Sequence, residues 1–185
     1  QGGFLRFIRK EAHIMASEIR NRFTDTEMQI ARETDLPELL SQIKELGFPV
    51  KLDTNGSHPE ALRAVVATGL VDYVAMDIKN SPAKYAATVG LPGFDLTPVR
   101  QSAALLLEGT VDYEFRTTVC APLHTPRDME ELGRWLKGAR RNFLQPFADS
   151  GALVGGGVSP LSEDEIKALR DSVLPYIPNT QIRGQ

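Results

Sequence analysis

From residue 35 onward the apolar and polar positions repeat one unit: a capped helix, a short turn, an apolar strand. Helical spacing marks "LPELLSQIKEL" after Asp35, "ALRAVVAT" after Ser57-His58-Pro59-Glu60 and "VRQSAALLLE" after Thr97-Pro98. It marks "MEELGRWLK" after Thr125-Pro126-Arg127-Asp128 and "IKALRDSVL" after Ser162 with Glu165. These openings carry the Ser, Thr or Asp cap and early Pro of helix starts, and Ser57 to Glu60 reads as a capping box. Gly47, Gly69, Gly109, Gly138 and Pro175 supply the stops. Strands are expected between the helices at 49–53, 72–79, 112–119, 142–147 and 180–183. Strands alternating with helices of about 10–15 residues indicate parallel βαβ units. The pattern fits a barrel or partial barrel and an open doubly wound sheet equally.

Residues 1–34 break the repeat. Phe4, Ile8, Met15, Ile19 and Phe23 fall at near-helical spacing with basic residues between them. This predicts a surface helix with one apolar stripe rather than a membrane contact. "TDTEMQIARET" has room for a very short strand. The chain thus divides into an atypical segment, 1–34, and an array of βα units, 35–185.

Alternate residues of a strand share a face. Val50 and Leu52 therefore oppose Lys51 and Asp53. Val74, Met76 and Ile78 oppose Ala75, Asp77 and Lys79. Tyr113, Phe115, Thr117 and Val119 oppose Glu114, Arg116 and Thr118. A parallel sheet covered by helices on both sides reads apolar on both faces. Three successive strands with one charged face each point instead to helices on one side and a polar lumen on the other. Asp53, Asp77, Lys79 and Arg116 lie toward the C-terminal ends of their strands, where α/β barrels and open sheets place their sites. "DTNG", residues 53–56, then turns tightly into a helix whose N-terminus can face an anion. An ion network that merely satisfies itself is the competing reading.

Composition narrows this little. The chain has 185 residues, 42% hydrophobic and 24% charged, with net charge −3, which argues against bulk nucleic-acid or anionic-membrane binding. No apolar run approaches the roughly 20 residues that span a bilayer, and the N-terminus does not read as a signal peptide. The single cysteine, Cys120, excludes a disulfide framework and a multi-cysteine metal or iron–sulfur site within these residues, and fits a cytoplasmic setting. Cys120 reads as a small core or loop residue, and His124 as the residue before a helix cap. His13, His58 and His124 make no metal spacing. "GALVGGGVSP", residues 151–160, reads as a flexible loop without the ending of a phosphate-binding loop.

"DLPELLSQIKELGFPVKLDTNGSHPEAL", "GLVDYVAMDIKNSPAKYAATVG", "VDYEFRTTV", "LHTPRDMEELGRWLKGA" and "FLQPF" resemble the C-terminal part of radical S-adenosylmethionine (SAM) activating enzymes. The nearest branches are the anaerobic ribonucleoside-triphosphate reductase activating proteins and the pyruvate formate-lyase activating enzymes. The resemblance implies a partial (β/α) barrel with parallel strands and outer helices. It implies SAM cleaved reductively at a 4Fe-4S cluster, and a radical that takes hydrogen from a glycine of a partner glycyl radical enzyme. On it, Asp53, Thr54, Asn55, Gly56, Asp77, Lys79 and Arg116 become SAM-binding candidates. The family's three-cysteine cluster loop and its "GGEP" turn are absent, with "IARET" before the first matching helix. The chain is therefore expected not to cleave SAM as written. Two other readings stand beside this one. One is a cluster-less barrel that binds a SAM-like ligand or a partner protein. The other is a different barrel enzyme using Asp53, Asp77 and Lys79 for acid–base work.

Overall fold

The β-branched and aromatic runs between the helices pair into one sheet of six parallel strands. The computed structural model describes residues 36–148 and 157–184, and the backbone of residues 5–7. The strands are β1 (Leu5–Phe7), β2 (Val50–Thr54), β3 (Tyr73–Asp77), β4 (Asp112–Val119), β5 (Asn142–Pro146) and β6 (Thr180–Ile182). The helices are α1 (Leu36–Glu45), α2 (Pro59–Ala67), α3 (Tyr85–Val89), α4 (Thr97–Leu107), α5 (Pro126–Trp135) and α6 (Glu163–Val173).

Strand order follows chain order from β1 to β6. A doubly wound sheet reverses its order at a switch point. This sheet never does, so its crossovers stack helices on one face, as in a barrel. Among the described residues β1 and β6 are the sheet's two edges, which makes the barrel partial.

The outer face carries the core. Val50, Leu52, Val74, Met76, Tyr113, Phe115, Val119 and Leu144 of the strands are buried with Leu40 and Ile43 of α1, Val65 of α2, Val99, Ala103 and Leu106 of α4, Met129 and Leu132 of α5, and Ile166, Leu169 and Val173 of α6. Every helix but α3 contributes apolar residues at the i, i+3 or i+4 spacing its sequence shows.

Three local expectations fail, each for a physical reason. Where a helix is expected, Leu5, Arg6 and Phe7 instead pair in parallel with Val50, Lys51 and Leu52. Hydrogen bonding to the β2 edge overrides the local period there. The remainder of 1–34, including Ile8, Met15, Ile19 and Phe23, lies outside the described residues, as does most of the 151–160 loop. The capping box at Ser57 does not form. Asn55 Oδ1 accepts both the Ser57 N–H, at 3.0 Å, and the Ser57 hydroxyl, at 2.7 Å, so His58 becomes the N-cap without a side-chain bond. At α4 the cap shifts upstream, because Asp95 Oδ1 accepts the Thr97 N–H at 2.9 Å. Helix α3 was not anticipated, since five residues show no period.

At Thr125 and Ser162 the caps are reciprocal boxes. Asp128 accepts from the Thr125 N–H at 3.0 Å, and Glu165 from the Ser162 N–H at 2.8 Å. Replacing Thr125 with Ala removes the α5 box. It is expected to cost about 1 kcal/mol and lower the melting temperature by about 2–4 °C. A thermal melt checks this, and an unchanged midpoint would mean that packing alone holds the helix start.

Candidate functional site

The strand alternation puts Lys51 and Asp53 of β2, Ala75 and Asp77 of β3, and Glu114 and Arg116 of β4 on the face away from the helices. Register sets Asp53 beside Ala75, Ala75 beside Glu114, and Asp77 beside Arg116. Strands two apart are about 10 Å distant, so a link from β4 to β2 needs a long side chain and an empty middle. Arg116 supplies the first and Ala75 the second. The guanidinium of Arg116 lies 2.9 Å from Asp53 Oδ1 in a charge contact. Its Nε also donates to Asp77 Oδ1 at 3.0 Å, and its NH2 lies 2.8 Å from the same oxygen in an ion pair. Lys79 Nζ donates to the other oxygen of Asp77 at 3.1 Å.

The cluster continues deeper. Glu114 accepts two bonds from the Arg183 guanidinium, at 3.0 and 2.8 Å, and one from the Tyr73 hydroxyl at 2.9 Å. Lys51 Nζ sits 3.7 Å from Asp53 and 3.8 Å from Glu114. Arg183 stacks over the Phe143 ring at 4.1 Å. The side chains of Asp53, Glu114 and Arg116 are 3%, 5% and 6% exposed, whereas those of Asp77 and Lys79 are 34% and 42% exposed. The centre of the cluster is buried and paired, and both Arg183, 37% exposed, and the Asp77–Lys79 end meet water.

Burial opposes the charge on Asp77, but the Lys79 ammonium and then the Arg116 guanidinium outweigh it and hold its carboxyl below the ordinary value. Burial likewise opposes Glu114, and bonds from Arg183 and Tyr73 more than offset it. Burial, reinforced by Glu114, pushes the Tyr73 hydroxyl up to about 12. Tyr85, under the open end, is also pushed to about 12, chiefly by burial, while the Lys79 backbone N–H pulls the other way.

The "DTNG" residues serve the turn. Thr54 Oγ1 accepts the Gly56 N–H at 3.0 Å, and Asn55 is engaged with Ser57. Gly56 has φ +75°, its carbonyl accepts the Ser102 hydroxyl at 2.8 Å, and a Cβ there would overlap the Met76 methyl. Of the seven candidates, Asp53, Asp77, Lys79 and Arg116 form one contact group, while Thr54, Asn55 and Gly56 shape the loop beside it.

Sequence reasoning missed Tyr73, Asn80, His124 and Arg183. Asn80 is buried and donates to Leu123 O at 2.8 Å and Thr88 Oγ1 at 2.9 Å. His124 is buried beside Cys120 and not merely a residue before a cap. A polar residue immediately past a strand, as in "DIKNSP", is the signal that could have flagged Asn80. Cys120 is buried, and burial pushes its thiol up, which suits a core residue. A surface cavity of about 350 Å³ lies away from the charge cluster, lined by Lys84, Pro122, Arg127, Asp128 and Glu131 among others. Of its charges, Arg127 is paired with Glu131 at 3.5 Å and Asp128 serves the α5 cap. Among the described residues no group of three His, Cys, Asp or Glu could hold a metal ion, and no helix is long and apolar enough to cross a membrane.

No protein-family model matches the chain. A protein of Methanocaldococcus jannaschii, named as a candidate glycyl-radical enzyme activating enzyme, is 31% identical over 151 residues, 79% of this chain and 63% of that protein. The chain thus spans less than two thirds of that relative's length. Among solved structures, a domain of pyruvate-formate lyase-activating enzyme from Bacteroides vulgatus matches 100% of both chains with TM-score 0.67 at 12% identity. A radical SAM methyltransferase from Sphaerobacter thermophilus matches 94% of this chain and 49% of its own with TM-score 0.66 at 13% identity. At such identities these structures speak for the fold.

Two outcomes follow from the geometry. Ala75→Leu fills the gap that Arg116 crosses. It is expected to destabilise by about 1–3 kcal/mol from overpacking, more if the Asp53 contact breaks, as a urea titration would read. Asp77 and Glu114 are stronger acids in the fold than in the unfolded chain, so the unfolded chain binds protons first on acidification. Their contribution is complete above the ordinary Glu value of 4.5 and is lost below it as the folded values are crossed. Glu114→Gln is expected to flatten that acid limb in melts run as a pH series.

Proposed function

The chain belongs to the radical SAM activating-enzyme family over the residues it shares with its relatives, and from that premise we propose that it is the barrel portion of a glycyl-radical-enzyme activase whose lumen takes SAM. The observation that carries the reading is the open end of the ion cluster. Asp77 and Lys79 bring opposite charges to a water-accessible edge, backed by Asp53 and Arg116, at the C-terminal ends of their strands. SAM bears a carboxylate, an ammonium and a sulfonium, and charged partners of both signs hold such a molecule by charge-assisted bonds. Lys79 is suited to its carboxylate and Asp77 to its ammonium. Arg116 keeps Asp77 ionised and aimed, and the Thr54-Asn55-Gly56 turn forms the wall beside them.

The 4Fe-4S cluster does not fit these residues. The family's cluster takes three cysteine thiolates, and this chain has one cysteine, buried and biased toward the thiol. No step of SAM cleavage is assigned to these residues, because the cluster supplies the electron for it. The same lone cysteine favours a second reading, a cluster-less barrel that binds a SAM-like ligand or a partner protein. On the first reading the partner is a glycyl radical enzyme of the anaerobic ribonucleotide reductase or pyruvate formate-lyase type, met in the cytoplasm.

Titration calorimetry of the chain with SAM is the test. Binding weaker than micromolar is expected, since the "GGEP" turn that serves the ligand's amino group in the family is absent here. Asp77→Ala is expected to lower the affinity at least about tenfold, the loss of one charge-assisted bond. An Asp77→Ala chain that stays folded and binds equally well would assign the cluster to self-pairing.

A further inference from the structure

His124 stands apart from the ion cluster, yet it is buried and makes two directed bonds. Its Nε2 lies 2.9 Å from the Lys79 carbonyl oxygen, which can only accept, so Nε2 carries the proton. Nδ1 is then a lone pair, and it accepts the Cys120 N–H at 3.1 Å. The Cys120 carbonyl, 3.2 Å from Nδ1, already accepts the backbone N–H of His124 at 3.1 Å. This network assigns the tautomer. One ring thus satisfies a main-chain acceptor on the β3 exit and a main-chain donor on the β4 exit.

The link is reciprocated next door. Asn80 Nδ2 donates to Leu123 O at 2.8 Å, so residues 79–80 and 123–124 exchange hydrogen bonds across separations of 45 and 43 residues. His124 itself is mounted firmly, because the next residue, Thr125, is the boxed N-cap of α5. On the other side of the link, Lys79 reaches back from its main chain to Asp77 Oδ2. The chain of contacts runs from a helix start, through an imidazole, to the backbone that carries the exposed cation.

We propose that His124 is a positioning residue: by holding the Lys79 carbonyl, it fixes the backbone from which the Lys79 ammonium meets Asp77 at the open end of the lumen. The proposal rests on the preceding functional reading only for what that ammonium receives. A lysine held on a carboxylate is less available as a nucleophile than a free one, because its approach to the reagent is restricted. Its acylation rate therefore reports the placement directly, without any ligand.

The experiment labels the 185-residue chain with limiting N-acetoxysuccinimide and reads each lysine by mass spectrometry, with exposed Lys137 as internal standard. In His124→Ala the ratio of Lys79 to Lys137 acylation is expected to rise about two- to tenfold, the scale of one hydrogen bond. His124→Gln is expected to restore the parent ratio, since one amide presents an acceptor and a donor with nearly the spacing of the two ring nitrogens. Nitrogen-15 shifts of the parent His124 are expected to show the Nε2–H tautomer. An unchanged ratio in a folded His124→Ala chain would overturn the proposal. So would a folded Gln variant that fails to restore it, or an Nδ1–H tautomer. If the Ala variant does not fold, the Gln variant and the tautomer decide. A parent chain that ignores SAM while its Lys79 labelling follows His124 removes the binding reading and keeps this one.

Discussion

Arg116 reaches from β4 across β3 to Asp53 on β2, and binds Asp77 on the way. A partial barrel has to put something inside its curved sheet, and this one puts charges there. Buried charge is tolerated only when partnered, and removing one member of a buried pair typically costs about 3–5 kcal/mol. The guanidinium suits the task because its planar donors can serve two carboxylates at once. Ala75 is the smallest side chain on that face of β3, and the bridge passes over it. Three strands are tied through one residue.

The same cluster changes character along the strands. Glu114 is itself buried, enclosed by Arg183, Tyr73 and Lys51. At the open end, Asp77 and Lys79 retain a third or more of their exposure. Structural pairing and the ligand binding proposed above therefore use different parts of one arrangement. The proposed ligand would exchange with water at the Asp77–Lys79 edge without dismantling the buried pairs. Asn80 and His124 knit the two loops that frame this edge, so Lys79 is presented from a braced segment.

Much of the architecture was legible because its signals are local. The helix starts at Thr125 and Ser162 lie where the sequence placed them, and each is closed by a reciprocal box. The box at Ser57 failed because a better acceptor, Asn55, lies two residues upstream and takes both donors. Leu5 to Phe7 became a strand because the edge of β2 offered them hydrogen bonds, which outweigh an apolar period in a short segment. Helix α3 spans five residues, little more than one turn.

The alternation of side chains along β2, β3 and β4 is a property of the extended backbone itself. The sequence alone therefore determined that Lys51, Asp53, Asp77, Glu114 and Arg116 share a face, and that this face is polar. Which cation meets which carboxylate was settled only by the tertiary structure. Arg116 and Asp77 are 39 residues apart, and Arg183 and Glu114 are 69. Such pairings depend on inter-strand register and on how the sheet curls, and no local period encodes either. The burial of Asp53 on β2 and the exposure of Lys79, two residues past the end of β3, have the same origin: position along a curved sheet sets access to water, and position is a property of the assembled whole.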